Sequence, residues 1–159
     1  MEKEDLKKFL DEHFTYEVEM VSYAIVSWKK YHQPFDQNGI NMSLECLFFH
    51  GRNLLEFFYY KPAKDYSRAP HFIDDNKWKL TRPDKTKNVL ELEKRTSNEV
   101  VHLTYKRMAG SPPEKQWDPI GCFKDLTIIT KEFLNLLPDD MQGDRIISLK
   151  NNIDKLQIN

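Results

Sequence analysis

The chain has 159 residues and a net charge of −1, with 24 basic and 25 acidic residues mixed along it. This length suits one domain with a hydrophobic core and is short for two. Hydrophobic residues make up 40% of the chain and aromatic residues 13%, which excludes a disordered protein. The balanced charge gives no global field for nucleic acid, and a mean hydropathy of −0.69 without a long apolar run excludes a membrane span.

The start of the chain and its cysteines predict a cytoplasmic location. Residues 1–6 lack the basic, apolar and small-residue order of a secretory signal. Cys46 and Cys122 fall in apolar surroundings on different predicted helices, so we expect reduced, packed thiols. The five histidines show no metal-ligand spacing, and we expect neither a metal nor a cofactor.

Apolar residues spaced three or four positions apart predict the first helices in chain order. A short amphipathic segment with Leu6 and Leu10 precedes a long helix over about 16–31. Pro34 ends this helix, because proline disfavours helical geometry in the preceding residue. A second helix is predicted over about 40–60, and Gly51 on its apolar stripe allows a neighbouring helix to approach closely.

The segment 63–86 is predicted to be a long irregular connection between helices. It is polar and contains three prolines, and it is longer than an ordinary turn between helices. Its aromatic residues Tyr66, Phe72 and Trp78 are expected to hold it against the bundle.

The second half of the chain predicts three further helices. The third covers about 87–108 and ends at the Gly- and Pro-containing segment 109–113; its expected core residues are Leu90, Val101, Tyr105 and Met108. Asp118 and Pro119 give a strong start signal for a fourth helix, which runs up to Pro138. A last helix over about 144–156 has a heptad-like apolar seam, Ile146, Leu149, Ile153 and Leu156.

No segment alternates apolar and polar residues as a strand would. The fold class is therefore all-α: a single domain over 1–159, with an up-and-down bundle of about four to five helices and one long loop. The core bundle is expected at about 16–137.

A first set of polar residues lies within the strongly apolar second helix: His50, Arg52 and Asn53. Buried charge needs partners, so these residues are candidate binding residues of a cleft. The alternative is structural: Arg52 forms an ion-pair ladder with Glu45 and Glu56 along one helix face, and His50 and Asn53 are satisfied within the fold. Both interpretations stay open.

A second set follows one stripe of the third predicted helix: Glu91, Arg95, Asn98 and His102. Tyr105 and Arg107 lie close to this stripe and add an aromatic ring and a positive charge. These side chains could converge on one ligand; the alternative is a solvated helix face, which is the commoner explanation of such charges.

The segment Arg95–His102 resembles the Arg, four to six residues, His motif of the HEPN superfamily. The wider stretch 98–107, together with 50–55, looks like HEPN-like proteins of the abortive-infection kind and related uncharacterised bacterial families. The resemblance covers about residues 16–137 in helix order. It implies a small helical bundle that dimerises so that two motifs meet, and in active members a metal-independent endoribonuclease.

The resemblance assigns roles to three residues. His102 would act as base or acid in cleavage through the 2′-hydroxyl, Arg95 would hold the phosphate, and Asn98 would orient His102 or contact the sugar. The alternative function is a non-catalytic interaction module, in which the polar residues fix helix register and an aromatic face forms a homodimer or binds another protein.

Overall fold

The computed structural model describes residues 2–61, 64, 66–96 and 118–156, and within them every regular element is a helix. The predicted all-α class is confirmed. The α-helices of this part, in chain order, are α1 (Lys3–Phe9), α2 (Thr15–Lys30), α3 (Gln37–Tyr59), α4 (Asp75–Thr81), α5 (Lys87–Arg95), α6 (Pro119–Leu136) and α7 (Asp144–Asn152).

The short amphipathic segment at the start continues directly into the first long helix. A π-helical segment, Leu10–Phe14, joins α1 to α2, and its buried side chains Leu10 and Phe14 belong to the core. The Thr15 hydroxyl donates to the Leu10 carbonyl at 3.0 Å. The chain therefore enters the bundle as one continuous helical stretch.

Helices α2 and α3 form an antiparallel pair. The carboxylate of Asp36 accepts hydrogen bonds from the backbone N–H groups of Asn38 and Gly39 and so begins α3. Residue 17 of α2 contacts residue 50 of α3, while Cys46 lies opposite Met20, with 3.9 Å between its Sγ and the Met20 carbonyl oxygen. Later residues of α2 thus face earlier residues of α3, as in an antiparallel pair.

Gly51 lies where two other helices meet α3. A Cβ atom there would be 3.0 Å from Cδ1 of Leu126 in α6 and 3.3 Å from Cδ1 of Leu92 in α5. The predicted close approach at this glycine is confirmed, because any larger side chain would displace both leucines.

The segment predicted as an irregular connection contains helix. A 3₁₀ turn at Ala69–His71 precedes α4, which the Asp74 carboxylate caps by accepting from the Lys77 N–H at 2.7 Å. Phe72 and Trp78 are buried as expected, and the Trp78 indole donates to the Phe58 carbonyl at 2.8 Å. Tyr66, in contrast, is 58% exposed.

Helix α5 does not bury Leu90, the one predicted core residue of this helix that lies among the described residues. Val89 and Leu92 are buried, whereas Leu90, an expected core residue, is 51% exposed. The predicted continuation to residue 108 and the segment 109–113 lie outside the described residues, as do Val101, Tyr105 and Met108. The prediction for Leu90 is wrong, because α5 turns Val89 and Leu92 toward the core and leaves Leu90 on its outer side.

The end of the described chain closes the bundle. The Asp118 carboxylate accepts from the Gly121 N–H at 2.8 Å and starts α6 as predicted. The N-terminus of α7 is capped from the π-helical segment, since Asp11 Oδ1 accepts from the N–H groups of Arg145 and Ile146 at 2.9 and 3.0 Å. The seam residues with described side chains, Ile146, Leu149 and Ile153, are buried.

The centre of the core is aromatic. The ring of Phe133 in α6 lies within 5.1 to 6.1 Å, centroid to centroid, of Phe14, Phe57, Phe58 and Trp78. We call these five residues the aromatic cluster. Among the helices that the structure describes, none is long and apolar enough to cross a membrane.

Candidate functional site

Glu17 of α2 organises the polar residues of α3. Its Oε2 atom lies 2.8 Å from Nδ1 of His50 and accepts a hydrogen bond from Nδ2 of Asn53 at 3.2 Å. All three side chains are partly buried, with His50 the more enclosed partner of its pair. A carboxylate so placed satisfies two polar groups that would otherwise face the apolar interior between the helices.

Glu56 organises a second cluster one turn further along α3. Its Oε1 atom accepts from Nε of Arg52 at 3.0 Å, which is the Arg52–Glu56 pair of the predicted ladder. Its Oε2 atom lies 3.6 Å from Nη2 of Arg68, which belongs to the segment before α4. Glu56 therefore joins α3 to the connection that follows it.

Arg68 is the most deeply buried cation of the described residues, with 8% of its surface exposed. Its Nη1 donates to the Ser67 carbonyl at 3.1 Å. The guanidinium carbon lies 4.9 Å from the ring centroid of Tyr66 and 5.9 Å from that of Tyr60, within the range of cation–π attraction. Its Nε is buried and has no hydrogen-bond partner in the described part of the chain.

The two glutamate clusters border one pocket of about 420 Å³. The pocket lies between the end of α1, the start of α2, the second half of α3 and the segment 66–68. Its size falls within the range of about 300 to 1,000 Å³ that is typical of small-molecule sites. The polar lining residues are His13, Glu17, Asn53, Glu56, Ser67 and Arg68, and the apolar or aromatic ones are Phe9, Phe14, Leu54, Phe57 and Tyr66.

Arg95 lies at the end of α5, half-buried beside α6. Burial raises the pKa of the neighbouring Cys122 thiol to about 12, and the positive charge of Arg95 opposes that rise. The hydroxyl of Tyr60 donates to Glu93 Oε1 at 3.0 Å and joins α3 to α5. Arg95 and Arg52 are thus carried by neighbouring helices, which meet where Leu92 contacts Gly51.

The outer side of the α2–α3 pair carries an apolar surface. Tyr16 and Phe49 both pack against the His50 ring, with centroids 5.6 and 5.4 Å away. Tyr23 follows Tyr16 by seven residues and Met42 precedes Phe49 by seven, which places both on the same side of their helices two turns away. We call these four residues the outer stripe; their exposed fractions lie between 47% and 70%.

The structure separates the predicted site residues into three groups. His50, Arg52 and Asn53 have the intrachain partners that the structural interpretation requires, and Asn53 also lines the pocket. Arg95 lies apart from them on α5. Asn98, His102, Tyr105 and Arg107 lie outside the described residues. Among the residues with described positions, no group of three or more His, Cys, Asp or Glu side chains could hold a metal ion.

Sequence reasoning missed Glu17 and Arg68. A signal for Glu17 exists: it lies three residues before Met20, and Ala24 follows Met20 by four, so Glu17 continues an inward-facing series by one turn. Arg68 has no comparable signal, because the periodicity that reveals a buried position is missing in a connection between helices.

Three comparisons with known proteins give no further guide. The chain matches no protein-family model, no curated protein and no solved structure. The residues of the chain and their geometry are therefore the basis for a proposed function.

Proposed function

We propose that the chain is a HEPN-like helical protein that binds RNA or a nucleotide and cleaves RNA without a metal. The observation that supports the proposal is the packing of α3, which carries His50, Arg52 and Asn53, against α5, which ends at Arg95: Gly51 of α3 lies against Leu92 of α5. Arg95 and the first polar set are therefore on neighbouring helices of one fold. An up-and-down arrangement of the long helices and a cytoplasmic location belong to the same proposal.

The chemistry assigned to the Arg95–His102 motif is proton transfer next to a phosphate of the RNA that the motif binds. His102 removes or supplies the proton in attack by the 2′-hydroxyl, and Arg95 stabilises the charge that develops on the phosphate. Asn98 orients the histidine. In a homodimer two copies of this set would meet, which supplies the positive charge that one nearly neutral chain lacks.

The test is RNA cleavage by the full chain and by variants of the motif. Wild type should bind and cleave single-stranded RNA in the presence of EDTA, while His102→Ala and Arg95→Ala should lose about 100-fold or more of the rate. His32→Ala is the matched control, because His32 lies in the exposed turn after α2. Equal cleavage by wild type and His102→Ala, or none by either, would contradict the nuclease.

A second candidate is a non-catalytic interaction module that forms a homodimer. The outer stripe favours it, since four large apolar residues lie together on the outside of α2 and α3. His50, Arg52 and Asn53 then serve to fix helix register through Glu17 and Glu56. Sedimentation over a range of concentrations should give a dimer that dissociates on dilution. A monomer at every concentration would contradict this candidate.

A further inference from the structure

The pocket beside Arg68 offers a ligand two kinds of surface. One is aromatic: Phe9 is half-buried, and its ring lies 5.9 Å from Phe72 in a stacked arrangement that fixes its plane. Tyr66, in the segment after α3, also lines the pocket, and its ring packs over the Arg68 guanidinium. Flat walls of this kind suit a planar ring.

The other surface is polar and carries both hydrogen-bond donors and acceptors. Arg68 lines the pocket, and its buried Nε donor has no partner among the described residues. The carboxylate of Glu17 and the amide of Asn53 line the same pocket. A buried donor without a partner is unusual in proteins, so a ligand that brings an acceptor to Arg68 completes this site.

The charges of the lining select against an anionic ligand. Glu17 and Glu56 contribute two carboxylates, and the positive charge of Arg68 is already shared with Glu56 at 3.6 Å. A phosphate or carboxylate group placed here would meet both glutamates. A simple amine would satisfy the glutamates but would bring no acceptor for the Arg68 Nε. The ligand must therefore be uncharged and carry an amino donor and an acceptor.

We propose that this pocket binds a nucleobase that bears an exocyclic amino group, either as a free nucleoside or as an unstacked base of single-stranded RNA. The inference rests on the proposed RNA or nucleotide function and names the part of the ligand that this pocket takes. Adenine, cytosine and guanine present an amino donor next to a ring or carbonyl acceptor, whereas uracil has no amino group. Unstacked bases are read by aromatic stacking and by hydrogen bonds to such edges.

Calorimetric titration of the full chain with the four ribonucleosides tests the proposal. At least one of adenosine, cytidine and guanosine should bind about tenfold more tightly than uridine. Tyr66→Ala should weaken that binding about tenfold, and this variant keeps its fold because Tyr66 is exposed. Phe35→Ala, at an exposed aromatic residue outside the pocket lining, is the control and should bind like wild type.

A second variant examines the polar edge of the pocket. Glu17→Gln keeps the shape of the side chain but replaces one acceptor oxygen with a donor, so it should reduce the preference over uridine while its circular dichroism spectrum stays that of wild type. No nucleoside binding at millimolar concentration, equal binding of all four nucleosides, or equal affinity of Tyr66→Ala and wild type would each overturn the proposal.

The failure of this inference can be told from failure of the proposed function. If single-stranded RNA is bound and cleaved by wild type and Tyr66→Ala alike, the pocket takes no base of the RNA and the His102 proposal stands. If nucleosides bind but RNA is neither bound nor cleaved, the pocket proposal stands and the nuclease is wrong.

Discussion

The inner and outer faces of α3 both carry large apolar side chains, but the fold covers only one of them. Phe57 and Phe58 on the inner face belong to the aromatic cluster and are buried. Met42 and Phe49 on the outer face remain exposed together with the tyrosines of α2. Between the two faces, His50 and Asn53 are held by Glu17. The inner face thus accounts for stability, and the apolar side chains of the outer face are exposed.

The largest effect is expected from the inner face. Phe133→Ala removes the ring at the centre of the aromatic cluster, where Phe133 is fully buried, and should lower the free energy of unfolding by about 3 to 5 kcal/mol. Urea unfolding followed by tryptophan fluorescence measures this loss. Phe35→Ala, at a residue that is 71% exposed, should change stability by less than about 0.5 kcal/mol. Similar losses at both positions would show that the cluster is not the core.

A smaller loss is expected between the two faces. Glu17→Ala leaves His50 and Asn53 without the acceptor that both use, and should lower the free energy of unfolding by about 1 to 2 kcal/mol. Glu45→Ala, at an exposed position of α3, should have almost no effect. In a double-mutant cycle, Glu17→Ala combined with His50→Ala should cost less than the sum of the two single changes. Additive losses would mean that the pair is not coupled.

An effect of similar or smaller size is expected at high pH from Cys122 on the inner side of α6. Burial raises the pKa of its thiol from 9.0 to about 12, so the folded state keeps a proton that the unfolded state loses. The stabilisation is complete below pH 9 and is lost as pH rises toward 12. Between pH 9 and 10 the free energy of unfolding should fall by about 1 kcal/mol from this group.

Cys122→Ala provides the control for this pH dependence. The variant should show a flatter profile of unfolding free energy between pH 8 and 10. The slope that remains comes from Cys46, whose pKa burial also raises, and near pH 10 from Tyr59, whose pKa burial raises from 10.0 to about 12. A wild-type profile that is already flat over this range would contradict the burial of the thiol.

The sequence predicts where the helices lie along the chain better than it predicts which side chains meet between them. The Asp118 and Pro119 start signal and the inner stripe of α3 are local features, and the structure has both. Leu90 lies on the outer side of α5 and not in the predicted core, because the face that α5 buries is set by its packing against α3 and α6. Glu17 and His50 are 33 positions apart, and no local rule joins them. The long-range contacts that build the pocket can only be read from the fold.

The smallest effect on stability is expected from the outer stripe. Substituting Gln on the outer and on the inner face of α3 compares the two faces directly. Tyr23→Gln and Met42→Gln together replace exposed apolar groups with a good helix former, so the free energy of unfolding of the monomer should change by less than about 0.5 kcal/mol. Leu47→Gln makes the same change at a fully buried position of α3 and should unfold the protein or cost more than about 3 kcal/mol. If the outer stripe forms the homodimer, sedimentation of the double variant should show monomer at concentrations where wild type is dimeric. A double variant that stays dimeric would place the interface elsewhere, and one as unstable as Leu47→Gln would show that the outer stripe belongs to the core.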